Sequence, residues 1–236
     1  MKAELHILAS GSSANGYILT AGDERLVIEC GVDDKRVLKA LDYDVSGVVG
    51  CLVSHKHLDH SKYIPQYQKF FTVYSNADVA ERYGGVLVMT PKKRYRIGNF
   101  AIMPLEVPHG DCQNFAYVID FDGTRLVFAT DLTKFPYTIA NVDVLMLECN
   151  FCQERVLQNL MNGEDVMSAY DTHLELEDCV EAVERLGGQR LRKVILLHLS
   201  RQNADREQIK KRFAEIGIEP EFASAGKKIN IGKYDF

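Results

Sequence analysis

Short apolar stretches alternate with polar loops and with amphipathic stretches along the whole chain. The apolar stretches predict β-strands, because runs of this length bounded by turn residues are typical of strands. The predicted strands cover residues 3–9, 17–20, 25–29, 48–53, 71–75, 100–107, 115–120, 125–130, 143–147, 193–197, 219–222 and 228–231. Helical spacing of apolar residues predicts helices at residues 33–41, 61–69, 77–83, 154–161, 176–186 and 205–216.

These elements follow one another without a low-complexity linker or a break in composition, which predicts one domain covering residues 1–236. The layout favours an α/β fold in which two mixed β-sheets pack face to face and helices cover their outer surfaces, an αββα sandwich. Several predicted strands end in polar loops that contain histidine or aspartate. We therefore expect a functional site at one rim of the sheets.

The composition excludes several classes of protein. Of the 236 residues, 46% are hydrophobic, which is enough for one large core. No apolar stretch approaches the ~18 residues of a membrane span, and the N-terminus enters a strand rather than a signal peptide. We therefore expect a cytoplasmic protein with no membrane partner. The net charge of -5 gives no general attraction to nucleic acid.

The six cysteines lack the spacing of a disulfide framework, so we expect them to be reduced. Cys149 and Cys152 form a single C-x-x-C pair. One such pair without a second is only a weak indication of zinc or redox chemistry.

The strongest chemical signal is the run Ser54-His55-Lys56-His57-Leu58-Asp59-His60, which directly follows an apolar stretch. Histidine is the commonest metal ligand, and loops at strand ends let side chains turn towards a common point. The alternating period of an extended chain places His55 and His57 on the same side, while Asp59 and His60 can turn to a second point nearby. Two metal ions could therefore share this loop.

Three further candidate ligands follow predicted strands far along the chain. His109 comes after residues 100–107, Asp131 after residues 125–130, and His198 after residues 193–197. Either histidine alone would more simply be a hydrogen-bonded loop or core residue. Together with the histidine run they predict a metal centre.

In this order, the features resemble the metallo-β-lactamase-fold hydrolases. A small-residue loop at residues 11–16, the His-x-His-x-Asp-His run, and lone ligands at positions 109, 131 and 198 match along nearly the whole sequence. The resemblance implies that one metal ion is held by His55, His57 and His109, that a second is held by Asp59, His60 and His198, and that Asp131 bridges them. Nitrogen-rich ligation makes Zn2+ the default for both divalent ions, although two aspartates would also accept Mn2+ or iron.

Two later segments resemble the RNase Z group within that fold. Residues 145–151 are similar to the loop that carries its glutamate, and residues 172–178 are similar to its histidine loop. The resemblance implies that Glu148 orients His173 and that His173 donates a proton to the leaving oxygen, as a carboxylate-paired histidine can. From the residues alone, Glu148 could equally be a surface acid and His173 a residue at a helix N-terminus.

The implied chemistry is hydrolysis assisted by two metal ions, with Asp59 aligning and deprotonating the attacking water. A dedicated proton donor matters most for a poor alkoxide leaving group, so we expect a phosphodiester rather than a β-lactam or a thioester. The expected substrate is a nucleic-acid end, as for an exonuclease, or a nucleotide. A cyclic-nucleotide phosphodiesterase, including the phage enzymes of this fold that erase immune signals, would share every residue named.

Other interpretations are less favoured. Transfer-RNA 3′ processing would call for a long Gly/Pro-rich arm that is not recognisable in the chain. An electron-transferring di-iron protein of this fold would have an acid in place of His57. A metal-binding scaffold is the non-enzymatic alternative, although all of the proposed ligands are present, and a homodimer is left open.

The loop at residues 11–16 reads Gly-Ser-Ser-Ala-Asn-Gly. We consider Ser12, Ser13 and Asn15 as substrate contacts, together with Ser200, which follows His198. Successive amide groups in such a loop can bind a phosphate, although a plain tight turn is the simpler explanation.

Two further features are ambiguous. The basic run Lys92-Lys93-Arg94-Tyr95-Arg96 could track a phosphodiester backbone but more often forms a solvated hairpin. Glu29-Cys30-Gly31 stands where relatives usually have Asp-x-Gly supporting the first metal loop. The longer acid could shift that support and so change metal affinity.

Overall fold

The computed structural model describes residues 2–164, 166 and 168–232. Its strands are β1 (Ala3–Ala9), β2 (Gly16–Ala21), β3 (Glu24–Ile28), β4 (Val48–Leu52), β5 (Val73–Ser75), β6 (Leu87–Val88), β7 (Tyr95–Ile97), β8 (Phe100–Val107), β9 (Asn114–Phe121), β10 (Thr124–Ala129), β11 (Val144–Glu148), β12 (Lys193–Leu197), β13 (Glu221–Phe222) and β14 (Lys228–Asn230). Its helices are α1 (Asp34–Ala40), α2 (Leu58–Ser61), α3 (Ile64–Tyr67), α4 (Ala77–Tyr83), α5 (Gln153–Met161), α6 (Ser168–Thr172), α7 (Leu176–Leu186) and α8 (Arg206–Glu215).

Within these residues the strands form two seven-stranded sheets. The first has the order β14-β1-β2-β3-β4-β5-β6 and the second the order β13-β12-β11-β10-β9-β8-β7. Both sheets are mixed: β2 and β3 are antiparallel whereas β3 and β4 are parallel, and β9 and β10 are antiparallel whereas β10 and β11 are parallel. The predicted α/β class with two mixed sheets is confirmed, while the single domain stays a prediction.

Three apolar layers explain the sandwich. The central layer joins both sheets, with Tyr17 of β2 packed edge-on against Phe128 of β10 at a ring-centroid distance of 5.5 Å. A second layer lies between the first sheet and α1, α3 and α4. A third lies between the second sheet and α7 and α8, where Val180 and Phe213 are fully buried. Apolar side chains thus alternate between the two faces of each sheet.

Most predicted elements agree with the structure, but residues 61–69 do not form one helix. They contain the end of α2 and a separate α3, which begins at Ile64. Pro65 lies in the first turn of α3, where its missing N–H is tolerated, whereas inside a continuous helix it would remove a hydrogen bond. The short elements β6, β7 and α6 are not among the predictions.

Helix caps and thiols follow simple chemistry. α4 begins after Asn76, whose side chain accepts a hydrogen bond from the Val79 N–H, and α8 begins after Asp205, whose side chain accepts hydrogen bonds from the N–H groups of Glu207 and Gln208.

All six cysteines lie within the described residues and are buried free thiols, as expected. None of the described helices is long and apolar enough to cross a membrane.

The strand directions bring the candidate ligands to one rim. β10, β11 and β12 run parallel, and β8 runs in the same direction because both β8 and β10 are antiparallel to β9. The chain reaches His109 after β8, Asp131 after β10 and His198 after β12, while Glu148 ends β11. The carboxyl ends of parallel strands commonly carry functional loops in α/β folds.

Candidate metal centre

The histidine run divides its side chains between two points. After β4 the chain continues to His55, and His57 precedes α2 with an extended backbone (φ -63, ψ 147). Asp59 and His60 lie in the single turn of α2 and point elsewhere. Within the described residues, this division produces two groups of possible metal donors. We call the first the imidazole group, which consists of His55, His57 and His109. We call the second the carboxylate group, which consists of Asp59, His60, Asp131 and His198. In each group the donor atoms lie within 4.8 Å of one another.

The imidazole group contains nitrogen atoms that lack other partners. His57 Nδ1 lies 3.0 Å from His109 Nε2, and His109 Nδ1 donates to the Thr172 carbonyl over 2.9 Å. That donation leaves the lone pair of His109 Nε2 facing the group. His55 Nδ1 is 2.9 Å from Ser54 Oγ, while His55 Nε2 is buried with no hydrogen-bond partner among the described residues. An orphaned imidazole nitrogen beside two others fits a metal ligand.

The carboxylate group surrounds His60, which is fully buried. His60 Nε2 lies 3.1 Å from Asp59 Oδ2 and 3.4 Å from Asp131 Oδ2. The ring of His198 lies 3.4 Å from Asp59 Oδ2 and 3.6 Å from Asp131 Oδ1. Asp131 Oδ2 is also 3.8 Å from His55 Nε2, so this carboxylate lies between the two groups.

Glu148 connects the carboxylate group to His173. Its Oε1 lies 2.7 Å from His173 Nδ1 and 3.2 Å from His198 Nδ1. Its Oε2 accepts hydrogen bonds from the N–H groups of Leu132, at 2.9 Å, and Leu174, at 3.3 Å. A fully buried carboxylate with these partners is held rigidly and in turn holds both histidines.

The alternative positions considered for these two residues are wrong. Glu148 is fully buried rather than a surface acid. His173 does not begin a helix, because it lies between α6 and α7, and the N-cap of α7 is Glu175. The His173 ring stacks on that of His198 at a centroid distance of 5.2 Å, and its side chain is 21% exposed, so it can reach a substrate.

Asn15 and Glu29 support the ligands from behind. Asn15 is fully buried, and its Nδ2 lies 3.2 Å from Asp59 Oδ2 and 2.9 Å from His60 Nε2. Glu29 Oε1 accepts from the Ser54 N–H over 3.2 Å, and its Oε2 lies 3.4 Å from His60 Nδ1. The glutamate therefore supports the histidine run and also orients a residue of the carboxylate group.

The backbone around the site is unusual. Glu29, Asp131 and His198 have left-handed backbone angles, with φ of 69, 52 and 51. Each such residue costs about 1–3 kcal/mol and persists only where the surroundings enforce it. Gly31 is needed for another reason, because a Cβ there would lie 1.6 Å from the Asp59 carbonyl oxygen. The ligand loops are therefore packed backbone against backbone.

The two groups differ in their electrostatics. Burial lowers the pKa of His55 and of His109, which favours the neutral imidazole that binds metal. Burial would also lower the pKa of His198, but Asp131, Asp59 and Glu148 outweigh it and raise that pKa to about 10. The carboxylate group thus attracts positive charge, whether a proton or a metal ion.

A cavity of about 440 Å³ adjoins the carboxylate group. Three predicted substrate contacts line it, Ser12, Ser13 and Ser200, and Ser10 Oγ at its wall accepts a hydrogen bond from the His198 N–H over 3.0 Å. Asn15, the fourth, is turned towards the ligands instead. Gly11 of the predicted loop also lines the cavity, whereas the sequence interpretation missed four other lining residues: Ser10, Leu199, Arg201 and Gln202.

The missed residues carried one signal, since they directly neighbour the serine loop and His198 in the sequence. Ser200 is partly occupied, because its Oγ accepts from the N–H groups of Gln202 and Asn203 at 3.3 and 3.1 Å. The basic run begins in the exposed segment before β7, at Lys92, Lys93 and Arg94, and ends within β7, at Arg96. None of its residues lines the cavity beside the carboxylate group.

Comparisons with known proteins agree with this architecture. The chain is 24% identical over 230 residues to exodeoxyribonuclease WalJ of Streptococcus pneumoniae, an alignment that covers 85% of this chain and 83% of WalJ. The solved metallo-beta-lactamase fold protein YhfI from Bacillus subtilis is similar, with a TM-score of 0.78, 18% identity, and coverage of 98% of this chain and 100% of YhfI. A diphosphatase from the PhnP family has a TM-score of 0.71 and 14% identity, covering 98% of this chain and 97% of its own.

The family assignment rests on the sequence itself. The pattern of the family described as "Beta-lactamase superfamily domain" matches residues 24–199 of the chain. This range contains the histidine run, His109, Asp131, Glu148, His173 and His198. The expected resemblance is therefore confirmed, and the chain belongs to the beta-lactamase superfamily.

Proposed function

We propose that the protein is a metal-dependent phosphodiester hydrolase that acts, like an exonuclease, on nucleic-acid ends or on a nucleotide. The observation that carries this proposal is the convergence of two donor groups on Asp131, with the His173–Glu148 pair beside them. The superfamily match and the relatives, which include an exodeoxyribonuclease and a diphosphatase, support a metal-dependent hydrolase.

The donor set fits two divalent ions. His55, His57 and His109 would hold one ion, Asp59, His60 and His198 the other, and Asp131 would contact both. Three imidazoles in one group favour Zn2+, whereas the two aspartates of the other also suit Mn2+. Bound ions of this kind lower the pKa of water and stabilise negative charge on the attacked centre.

The residues of the chain would supply the proton transfers. The Asp59 carboxylate is 20% exposed and can accept the proton of an attacking water. His173 can give a proton to the leaving oxygen. Burial would lower the pKa of His173, but the hydrogen bond and the charge of Glu148 outweigh burial and raise it. The protonated imidazole is therefore favoured, as a general acid requires.

The cavity beside the carboxylate group would receive the nucleotide next to the cleaved bond. Ser12, Ser13 and Ser200 offer hydroxyl groups there, and Arg201 offers a positive charge. Its volume of about 440 Å³ falls within the ~300–1,000 Å³ of sites for small ligands. This compact size also favours a second candidate function, the hydrolysis of a cyclic nucleotide.

A substrate panel separates these candidates. The purified protein, loaded with Zn2+ or Mn2+, is assayed on 3′,5′-cyclic mononucleotides, cyclic dinucleotides, and single- and double-stranded DNA and RNA. We expect mononucleotides to be released from an oligonucleotide end. Hydrolysis of cyclic nucleotides alone would establish the second candidate function. An inactive protein that holds two ions would support the metal-binding scaffold. The cytoplasmic location and the homodimer stay predictions.

A further inference from the structure

A second and larger cavity lies along α8 and the edge strand β13. Its volume is about 1010 Å³, and its lining includes four basic side chains, Lys193, Arg206, Lys210 and Lys227. The chain as a whole carries a net charge of -5, so this local excess of basic residues is not a reflection of composition. The cavity is open to solvent along the sheet edge, and we call it the α8 groove.

The acidic residues of the α8 groove do not cancel its positive charge. Two glutamates, Glu219 and Glu221, line it against the four basic residues, and Glu207 pairs with Lys210 over 2.8 Å, so three carboxylates face four basic groups. Glu221 is shared, because Lys193 Nζ lies 2.9 Å from its Oε1 and Lys227 Nζ lies 2.8 Å from its Oε2. One carboxylate between two ammonium groups leaves a net positive charge on this wall of the groove.

The other wall combines a cation with an aromatic ring. The Arg206 guanidinium lies over the Phe222 ring, 5.1 Å from its centroid, and Lys210 follows one turn later along α8. Basic groups interleaved with an aromatic ring are the elements with which proteins hold single strands, through phosphates and through stacked bases.

Two short segments of the chain connect the lining of the α8 groove to the lining of the cavity at the candidate metal centre. Arg206 begins α8 directly after the loop that carries Ser200 and Arg201. On the opposite side, the Lys227 carbonyl accepts from the Ile7 N–H over 2.9 Å, and β1 then leads to the serine loop. β12 separates Lys193 from His198 by its whole length, about 16 Å at ~3.3 Å per residue. The groove thus extends away from the metal centre.

We propose that the α8 groove binds the sugar-phosphate backbone of a single-stranded nucleic acid whose end lies at the metal centre. This inference rests on the proposed function and specifies its substrate as a polymer. Lys193, Lys210 and Lys227 contact phosphates, and Arg206 with Phe222 stacks on a base. A cyclic nucleotide would fill the smaller cavity and would leave the α8 groove empty.

The test compares two double variants of equal charge change. Arg206→Gln with Lys210→Gln removes two charges from the α8 groove, while Lys35→Gln with Lys211→Gln removes two exposed charges from α1 and from the solvent side of α8. Binding of a fluorescent, phosphorothioate-protected single-stranded 20-mer to the metal-loaded protein is followed by anisotropy. Hydrolysis of an unprotected 20-mer and of bis(p-nitrophenyl) phosphate is measured in parallel.

We expect the groove variant to bind the 20-mer about tenfold more weakly, because it loses a stacking contact and a phosphate contact, and its salt dependence to fall by about 0.7 in slope for the phosphate contact of Lys210. The loss should appear in KM for the 20-mer and not for bis(p-nitrophenyl) phosphate, which is too small to reach the groove. The control variant should behave like the wild type.

Equal binding by the groove variant and the control would overturn the inference, and so would preferential binding of polyglutamate in place of the 20-mer. Failure of the proposed function has a different signature. In that case neither phosphodiester is hydrolysed by the wild type, whereas the anisotropy measurement still reports whether the α8 groove binds the single strand.

Discussion

The imidazole group and the carboxylate group lie side by side but are built differently. The imidazole group has three histidines, and neutral partners fix the remaining nitrogen of two of them, the hydroxyl of Ser54 for His55 and the carbonyl of Thr172 for His109. The carboxylate group contains two aspartates and is joined through His198 to the buried Glu148. One group offers neutral nitrogen donors, and the other joins metal donors to a hydrogen-bonded network that ends at His173.

This difference indicates a division of labour. The imidazole group presents neutral nitrogen donors to a cation, because burial lowers the pKa of His55 and of His109. The carboxylate group connects any bound cation to the residue that would protonate the leaving oxygen. Changes in the imidazole group should therefore affect metal content above all. Changes around the carboxylate group should also affect how the rate depends on the leaving group of the substrate. The following variants test that distinction.

Asp131 should give the largest effect, because its carboxylate lies between both groups. Asp131→Ala is expected to release both ions and to lower kcat/KM for bis(p-nitrophenyl) phosphate by about 10³-fold, since ~4 kcal/mol of transition-state stabilisation is lost. Metal content by elemental analysis and steady-state kinetics measure this. Asp178→Ala, at an exposed position of α7, is the control. Retention of both ions by Asp131→Ala would contradict its bridging role.

His57→Ala should remove one ion and leave the other. Its Nδ1 faces His109 within the imidazole group, and the carboxylate group stays intact. We expect the metal content to fall from about two ions to about one per chain and the rate to fall about 10²–10³-fold. His6→Ala, outside the donor groups, is the control. If two ions remain bound and the activity is unchanged, the imidazole group is not a metal site.

His173→Ala should separate substrates by their leaving groups. Loss of a general acid should lower kcat/KM about 10²-fold for an oligonucleotide, whose leaving group is an alkoxide, but much less for an activated aryl ester. Glu148→Gln should change the activities on the two substrates in the same directions as His173→Ala does, because His173 Nδ1 would lose its carboxylate partner. The ratio of the two kcat/KM values is the measurement. Equal losses on both substrates would remove the proton-donor role.

Asn15→Ala should give the smallest effect and only in the carboxylate group. The change removes the amide that contacts Asp59 and His60 but no ligand. We expect metal affinity at that group to fall about 10–100-fold while the imidazole group keeps its ion. Metal titration with a competing chelator measures both sites, and Asn99→Ala, an exposed residue of the opposite rim, is the control. Equal weakening at both sites would argue against this selective support.

The ligand positions could be predicted because their signal is local. The histidine run stands in one short segment, and His109 and His198 each follow a recognisable strand. The burial of Glu148 could not be predicted from the residues, since an acid at a strand end looks the same whether the next segment covers it or not. Only the fold brings the backbone N–H groups of Leu132 and Leu174 to the Glu148 carboxylate, where they donate hydrogen bonds to it.

Other differences have their own physical reasons. Pro65 was a visible signal that the helix at residues 61–69 is interrupted. By contrast, Arg201 and the α8 groove depend on the approach of segments that are far apart in the chain, such as Ile7 and Lys227. Periodicity reports which face of an element is buried, but it does not report which loops meet above a sheet.

The left-handed backbone at Glu29, Asp131 and His198 limits how this centre could be transplanted. A designer who copies only the side chains onto a relaxed host scaffold would aim the same chemical groups in other directions. The host would have to impose the unfavourable torsions as well, through its own packing. For this reason, we expect grafts that carry whole strand ends to retain metal, and grafts of isolated residues to lose it.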